Sequence, residues 1–199
     1  MQSRSEATRS NILEAAYRLF SENGYLATSV ADICSVAKVS KGAFYHHFPT
    51  KQAVFLALLN QWLTMLDSSF KELLRHHQNI PDAIVGMAAM TGEAFQSADV
   101  RLSIMLEFWT QAVRDPAIWQ AAIAPYHNYQ AYFTQLMEQG IAQNAIRPVN
   151  PISAARCLEA LAIGLMMQAV FEPDAANWPQ ELVQSIHFLF EGLLKKEMT

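Results

Sequence analysis

Residues 28–51 read TSVADICSVAKVSKGAFYHHFPTK, and this stretch decides how the rest of the chain is organised. Thr28 and Ser29 carry the side-chain oxygens that cap helix N-termini, and Asp32 stands where the acid of a capping box belongs. Val30, Ile33 and Ala37 recur at helical spacing and predict a short helix with one apolar face. Ser40 offers a second cap. On the helix it opens, Phe44 and Phe48 lie four apart and give an inward side, while Lys41, Gly42, Tyr45 and His46 fall on the other. Pro49 ends that helix, and Thr50 can cap the next. Two short helices joined by so tight a turn form the helix-turn-helix pattern, whose second helix enters the major groove of DNA.

The outward residues have the chemistry such a helix needs. Lys41 can reach a guanine edge or a phosphate, Gly42 admits a close backbone approach, and Tyr45 and His46 can donate to phosphate oxygens. Lys51 adds a positive charge beside a helix N-terminus that already favours anions. The candidate DNA-contacting set is Thr28, Ser29, Ser40, Lys41, Gly42, Ala43, Tyr45, His46, His47 and Lys51. Taken alone, the same pattern also describes a solvated polar face on a small helical domain.

The full string narrows this. VSKGAFYHHFPTK, residues 39–51, resembles the recognition helix and following linker of TetR-family transcriptional regulators. Upstream, TRSNILEAAYRLFSENGY, Thr8 to Tyr25, resembles the first helix of that family. The resemblance covers roughly the first quarter of the chain. It implies a helix-turn-helix domain over residues 1–50 and an effector-binding and dimerisation domain over 51–199. Double-stranded operator DNA, a small-molecule effector and a second copy of the chain are the implied partners, with repression the commoner mode. One departure stands out: Lys38 occupies the turn position where the family often has Gly. A left-handed residue there costs Lys something that Gly avoids. Either the turn carries strain or Lys38 uses its charge near the DNA backbone.

Composition agrees with a helical body. Of 199 residues, 52% are apolar, with only seven Gly and eight Pro, which favours a compact fold over disorder. The net charge is −4, but residues 1–51 hold six basic against four acidic side chains, while the remainder holds eight against 14. A basic end on an acidic body suits a DNA-reading module attached to something else. Cys34 and Cys157, the two cysteines, are far apart and are expected to be buried and inert. No secretory leader is expected before the first helix, and no apolar run reaches the ~18 uncharged residues of a membrane span. A cytoplasmic protein with no membrane partner is expected.

The first helix is predicted over about residues 6–23, with Ile12, Leu13, Ala16, Leu19 and Phe20 inward and Gly24 as C-cap. Arg4 and Arg9 lie at its start. One long helix follows over about 50–76, and further helices are expected at 81–97, 101–114, 116–123, 125–145, 151–171 and 179–196, each with Pro in its first turn except the second. No strand-like alternation appears, so the fold class is all-α. The helices over 151–171 and 179–196 are apolar on more than one face and must bury more than one. A homodimer through these two helices follows, as the family resemblance also implies, and it would present two reading helices one DNA turn apart.

The middle helices are rich in Met and aromatic residues, the adaptable lining of apolar pockets. The candidate ligand-binding set is Trp62, Met65, Met87, Met90, Met105, Glu107, Trp109, Tyr126, Tyr129 and Met166, with Glu107 able to pair with a cationic ligand if it faces inward. Plain core packing is the competing reading for each. No metal site, cofactor motif or catalytic constellation is present: no two His are spaced i, i+4, and there is no Gly-rich phosphate loop or G-x-S-x-G. The expected function is a ligand-responsive DNA-binding repressor. An effector-independent regulator acting through a protein partner is the alternative, with a helical enzyme behind it.

Overall fold

The computed structural model describes residues 2–97 and 102–193, with side chains over 5–94 and 106–192. Nine helices and no strand are found among them: α1 Gln2–Asn23, α2 Val30–Ala37, α3 Lys41–His47, α4 Lys51–His76, α5 Ile80–Ser97, α6 Leu102–Ala112, α7 Pro116–Ala142, α8 Pro151–Phe171 and α9 Trp178–Leu193. The sequence-predicted end of α9 at 196 lies outside the described residues, as does the side chain of Arg4.

The one break that fails is at Pro125. Two helices were expected there, but α7 runs through this residue without interruption. An interior proline costs a helix roughly 3 kcal/mol. The apolar residues on both sides of it, Ala122 before and Leu136 and Met137 after, are buried, and that packing offsets the cost. Elsewhere Pro behaves as expected: Pro116 and Pro151 open their helices, and Pro81 and Pro179 stand second in theirs.

The chain divides into two compact units, Met1–Met65 with Asp99–Ile123, and Leu66–Ala98 with Ala124–Thr199. A functional boundary at residue 50 is therefore a different cut from the packing one. In the first unit α1, α2, α3 and the start of α4 enclose a core of Ile12, Ala16, Phe20, Tyr25, Ile33, Phe44, Phe48, Val54 and Phe55. Phe108 of α6 completes it. Its ring stacks on Phe55 at 4.1 Å and 16°, and meets Tyr25 edge-on at 5.5 Å. Each such ring contributes roughly 1.5–3 kcal/mol by leaving water.

In the second unit α5 and α9 approach closely. A Cβ added to Gly92 would lie 2.8 Å from Pro179 Cα, so only glycine permits the contact. The inward side of α8 buries Ala154, Ala155, Leu158 and Glu159. Asn150 caps α8 by accepting from the Ser153 amide, with Pro151 at the first helical position. By length and composition α8 could also cross a membrane, although it carries Arg156 and Glu159. Only 22% of its most apolar window is buried, so much apolar surface is left uncovered by its own chain.

Candidate nucleic-acid interface

The helix-turn-helix is built from local rules. Ser29 caps α2 through a complete capping box: its Oγ accepts from the Asp32 amide, and the Asp32 carboxylate accepts from the Ser29 amide at 2.9 Å. The Ser29 hydroxyl also donates to the Asp32 carboxylate at 2.6 Å, and this bond, then the one from the Ser29 amide, hold the Asp32 carboxyl below the usual carboxylate range. The helix ends at Lys38, which sits in the left-handed region at φ 55° as the turn demands. Val39 N–H donates back to Cys34 O at 3.0 Å, closing the turn. Ser40 then caps α3 by accepting from the Ala43 amide at 3.1 Å.

The face of α3 divides as the periodicity predicts. Phe44 and Phe48 are buried in the core, and Lys41, Gly42, Tyr45 and His46 are exposed, Tyr45 by 53%. Ser40 is exposed too, while Ala43 and His47 are half-buried. The rings of His46 and His47 meet edge to face at 5.2 Å. Nothing in the fold requires the glycine at 42: an added Cβ would meet only Ser40 Oγ, at an ordinary 3.8 Å. Arg9 lays its guanidinium over the Phe48 ring at 5.1 Å, so α1 braces the end of α3.

Two members of the sequence-predicted set do other work. Thr28 is only 2% exposed, and its hydroxyl donates to Gly24 O at 2.8 Å and Leu19 O at 3.2 Å. It ties off the end of α1 and cannot turn toward DNA without abandoning those acceptors. Lys51 Nζ donates to Tyr25 O at 2.7 Å and Thr28 O at 2.8 Å, and lies 4.2 Å from the centroid of the Tyr25 ring. Burial lowers its pKa, with Glu107 pulling the other way. The lysine is a clasp between α4 and the turn after α1, not a free cation. Ser29 stays exposed, but its hydroxyl and amide are both tied to Asp32, whose charge repels a phosphate.

Glu107, a ligand-binding candidate by sequence, lies in the same region. Its carboxylate accepts from the Leu26 amide at 3.0 Å and lies 3.1 Å from where a Gly24 Cβ would stand. Gly24 itself has φ +86°, so glycine is needed there twice over, for conformation and for space. Glu107 thus ties α6 to the turn after α1. Trp109 packs on the same N-terminal core.

The remaining ligand-binding candidates divide between the units. Trp62 is half-buried and Met65 is 65% exposed, both in the first unit. Met87 is core in the second unit, where Met90 and Met166 are half-buried and Tyr126 is exposed. Tyr129 donates to Asp67 at 2.8 Å. The side chain of Met105 lies outside the described residues. Of the cysteines, Cys34 is buried, and burial raises its thiol pKa, but Cys157 is exposed on α8, against expectation. Position 157 shares the outer side of α8 with Ser153, Arg156 and Ala160.

A capped helix-turn-helix with a basic, aromatic outer face, set on a helical body, defines a DNA-binding transcriptional regulator. Residues 12–58 match the family described as bacterial regulatory proteins, tetR family, and residues 86–194 match the BetI-type transcriptional repressor C-terminal family. The chain belongs to the TetR family of helix-turn-helix transcriptional regulators. It is 25% identical over 195 residues to the HTH-type transcriptional regulator UidR of Escherichia coli K12, covering 98% of this chain and 96% of that one. It is 26% identical over 141 residues to the transcriptional repressor KstR2 of Mycobacterium tuberculosis, covering 70% of each. Among solved structures, a transcriptional regulator of Saccharomonospora viridis in complex with choline superposes with a TM-score of 0.81 at 21% identity, covering 94% of this chain and 98% of that one. A TetR-family regulator of Pectobacterium atrosepticum gives 0.76 at 20% identity, with both chains covered completely. These structures share the fold; the family's proteins are regulators rather than enzymes.

Proposed function

We propose that this chain is a cytoplasmic, homodimeric repressor that holds a near-palindromic operator through α3 and releases it when a small molecule binds the C-terminal region. The observation that carries the reading is the exposed Lys41–Gly42–Tyr45–His46 face, backed by buried Phe44 and Phe48. The contacts assigned to DNA are Lys41, Tyr45 and His46, the Gly42 and Ala43 backbone, and, at the edge, Ser40 and His47. Lys51 and Thr28 act indirectly, by fixing the turn on which α2 begins.

Dimerisation runs through α8 and α9. Ile152, Ile163 and Phe171 on α8 and Phe188 on α9 are exposed large apolar side chains, Phe171 by 70% and Phe188 by 61%. Gly164 and Gly192 have open space where a Cβ would be, which lets another backbone come close. A second copy covers this surface and doubles the reading helix. The effector is a small molecule with an apolar or aromatic surface, for which Met90, Tyr126, Tyr129 and Met166 of the second unit remain the candidate lining. Coupling of about 1–3 kcal/mol between effector and operator changes DNA affinity roughly 5–150-fold.

Selection of tight-binding duplexes from a random pool, followed by footprinting, tests the reading. The expected product is a two-fold repeat protected on both half-sites. Enrichment of no sequence, or of an asymmetric site bound by a single chain, would contradict it.

A further inference from the structure

We propose that Lys38, in the turn between α2 and α3, is a further DNA contact of this chain, its ammonium neutralising a phosphodiester of the duplex backbone in each subunit. The inference rests on the DNA-binding reading above and adds to it a residue outside the α3 face.

The backbone gives the first observation. Two non-glycine residues take the left-handed conformation among the described residues, Asn144 at φ 56° and Lys38 at φ 55°. Asn tolerates that region because its short polar side chain can bond locally, whereas Lys carries the steric cost of its Cβ with no such compensation. The turn asks only for the conformation. Its bonds run from backbone to backbone, Lys38 N–H to Ser35 O at 3.3 Å and Val39 N–H to Cys34 O at 3.0 Å, and glycine would form them equally well.

The side chain returns nothing to the fold for that cost. Lys38 is exposed, and among the described residues no carboxylate pairs with it. Asp32, the nearest acid along the chain, is held by Ser29 in the first turn of α2. A strained position occupied by an unpaired cation points to a partner outside the chain.

The helix-turn-helix supplies the chemistry of that partner. With α3 in the major groove, its N-terminal residues face base edges, and the helix before it crosses the sugar-phosphate backbone. The turn that joins them stands where the groove meets that backbone. Ser40, the cap of α3, follows Lys38 by two residues, and Lys41, one further on, is exposed as well. An ammonium on a long flexible stem is a point charge suited to a phosphate oxygen, and such a contact carries no sequence information. Lys41, Tyr45 and His46 keep the reading role, and Lys38 adds affinity and salt dependence.

Fluorescence anisotropy of the parent, Lys38→Gln and Lys38→Arg on a selected operator and on a scrambled duplex, across about 50–200 mM salt, tests the proposal. Glutamine keeps the left-handed strain and most of the length but not the charge. Lys38→Gln is expected to keep the parent's melting temperature and to bind both duplexes more weakly by the same several-fold factor. Its plot of log affinity against log salt should be shallower by about 0.9 per subunit. Lys38→Arg should keep the parent's slope. A parent slope in Lys38→Gln, a loss confined to the operator, or a folded Lys38→Arg as shallow as Lys38→Gln would overturn the contact. The DNA-binding reading is judged on the parent. If the parent binds neither duplex, that reading falls and the contact with it, whereas a salt-dependent parent matched by Lys38→Gln removes the contact alone.

Discussion

Lys51 leaves the role that its sequence position suggests, and Gly42 keeps the one suggested for it. A lysine at a helix N-terminus beside a reading helix invites assignment to phosphate, yet its ammonium is spent on two backbone carbonyls and a ring. Lys51→Ala should therefore destabilise the fold by roughly 2 kcal/mol, since it leaves two carbonyls without a charged donor, and chemical denaturation will measure it. A wild-type midpoint in that variant would refute the clasp. Gly42 shows the opposite. Its missing side chain is not required by the fold, and glycine near a helix start costs stability. Gly42→Ala should leave stability unchanged or raise it by up to about 1 kcal/mol while weakening operator binding. Lys38 is the strained residue of the turn, and Lys38→Gly should stabilise by about 1 kcal/mol in thermal unfolding, whatever its effect on DNA.

The short helices were legible in the sequence because each carries its own start and stop. Ser29 with Asp32, Ser40 with Ala43, and Phe44 with Phe48 are relations within four residues. Glu107 was not legible. Its partner, Leu26, is 81 residues away, and no local pattern records such a contact. Pro125 misled for the related reason that a local rule met tertiary packing and lost. α8 carries a further consequence. Glu159 is 7% exposed, neither carboxylate oxygen has a hydrogen-bond partner, and burial lifts its pKa to about 7, with Arg156 opposing. Between the ordinary glutamate range and about pH 7 the folded state holds this proton more tightly than the unfolded state. This group's contribution to stability thus falls as pH rises through that window and is lowest above it. Glu159→Gln should raise the melting temperature more at pH 8 than at pH 5, measured at one protein concentration. An equal shift at both would show that the carboxylate is not held neutral by the fold.

Dimerisation and DNA reading stand or fall together, because one α3 offers too few contacts for a specific site and a pair spaced by a DNA turn doubles them. The apolar overflow of α8 and α9 was visible as helices hydrophobic on more than one face, and Phe171 and Phe188 are left exposed on the single chain. Phe188→Glu should yield a monomer by sedimentation and abolish cooperative operator binding. The most direct measurement is fluorescence anisotropy of a selected operator duplex titrated with the parent chain and with Tyr45→Ala. Tyr45 is half-exposed and makes no fold-supporting hydrogen bond among those described, so Tyr45→Ala should keep the parent's melting temperature and bind the duplex more weakly by about tenfold or more. Parent affinity in the folded variant would contradict the placement of α3 on DNA.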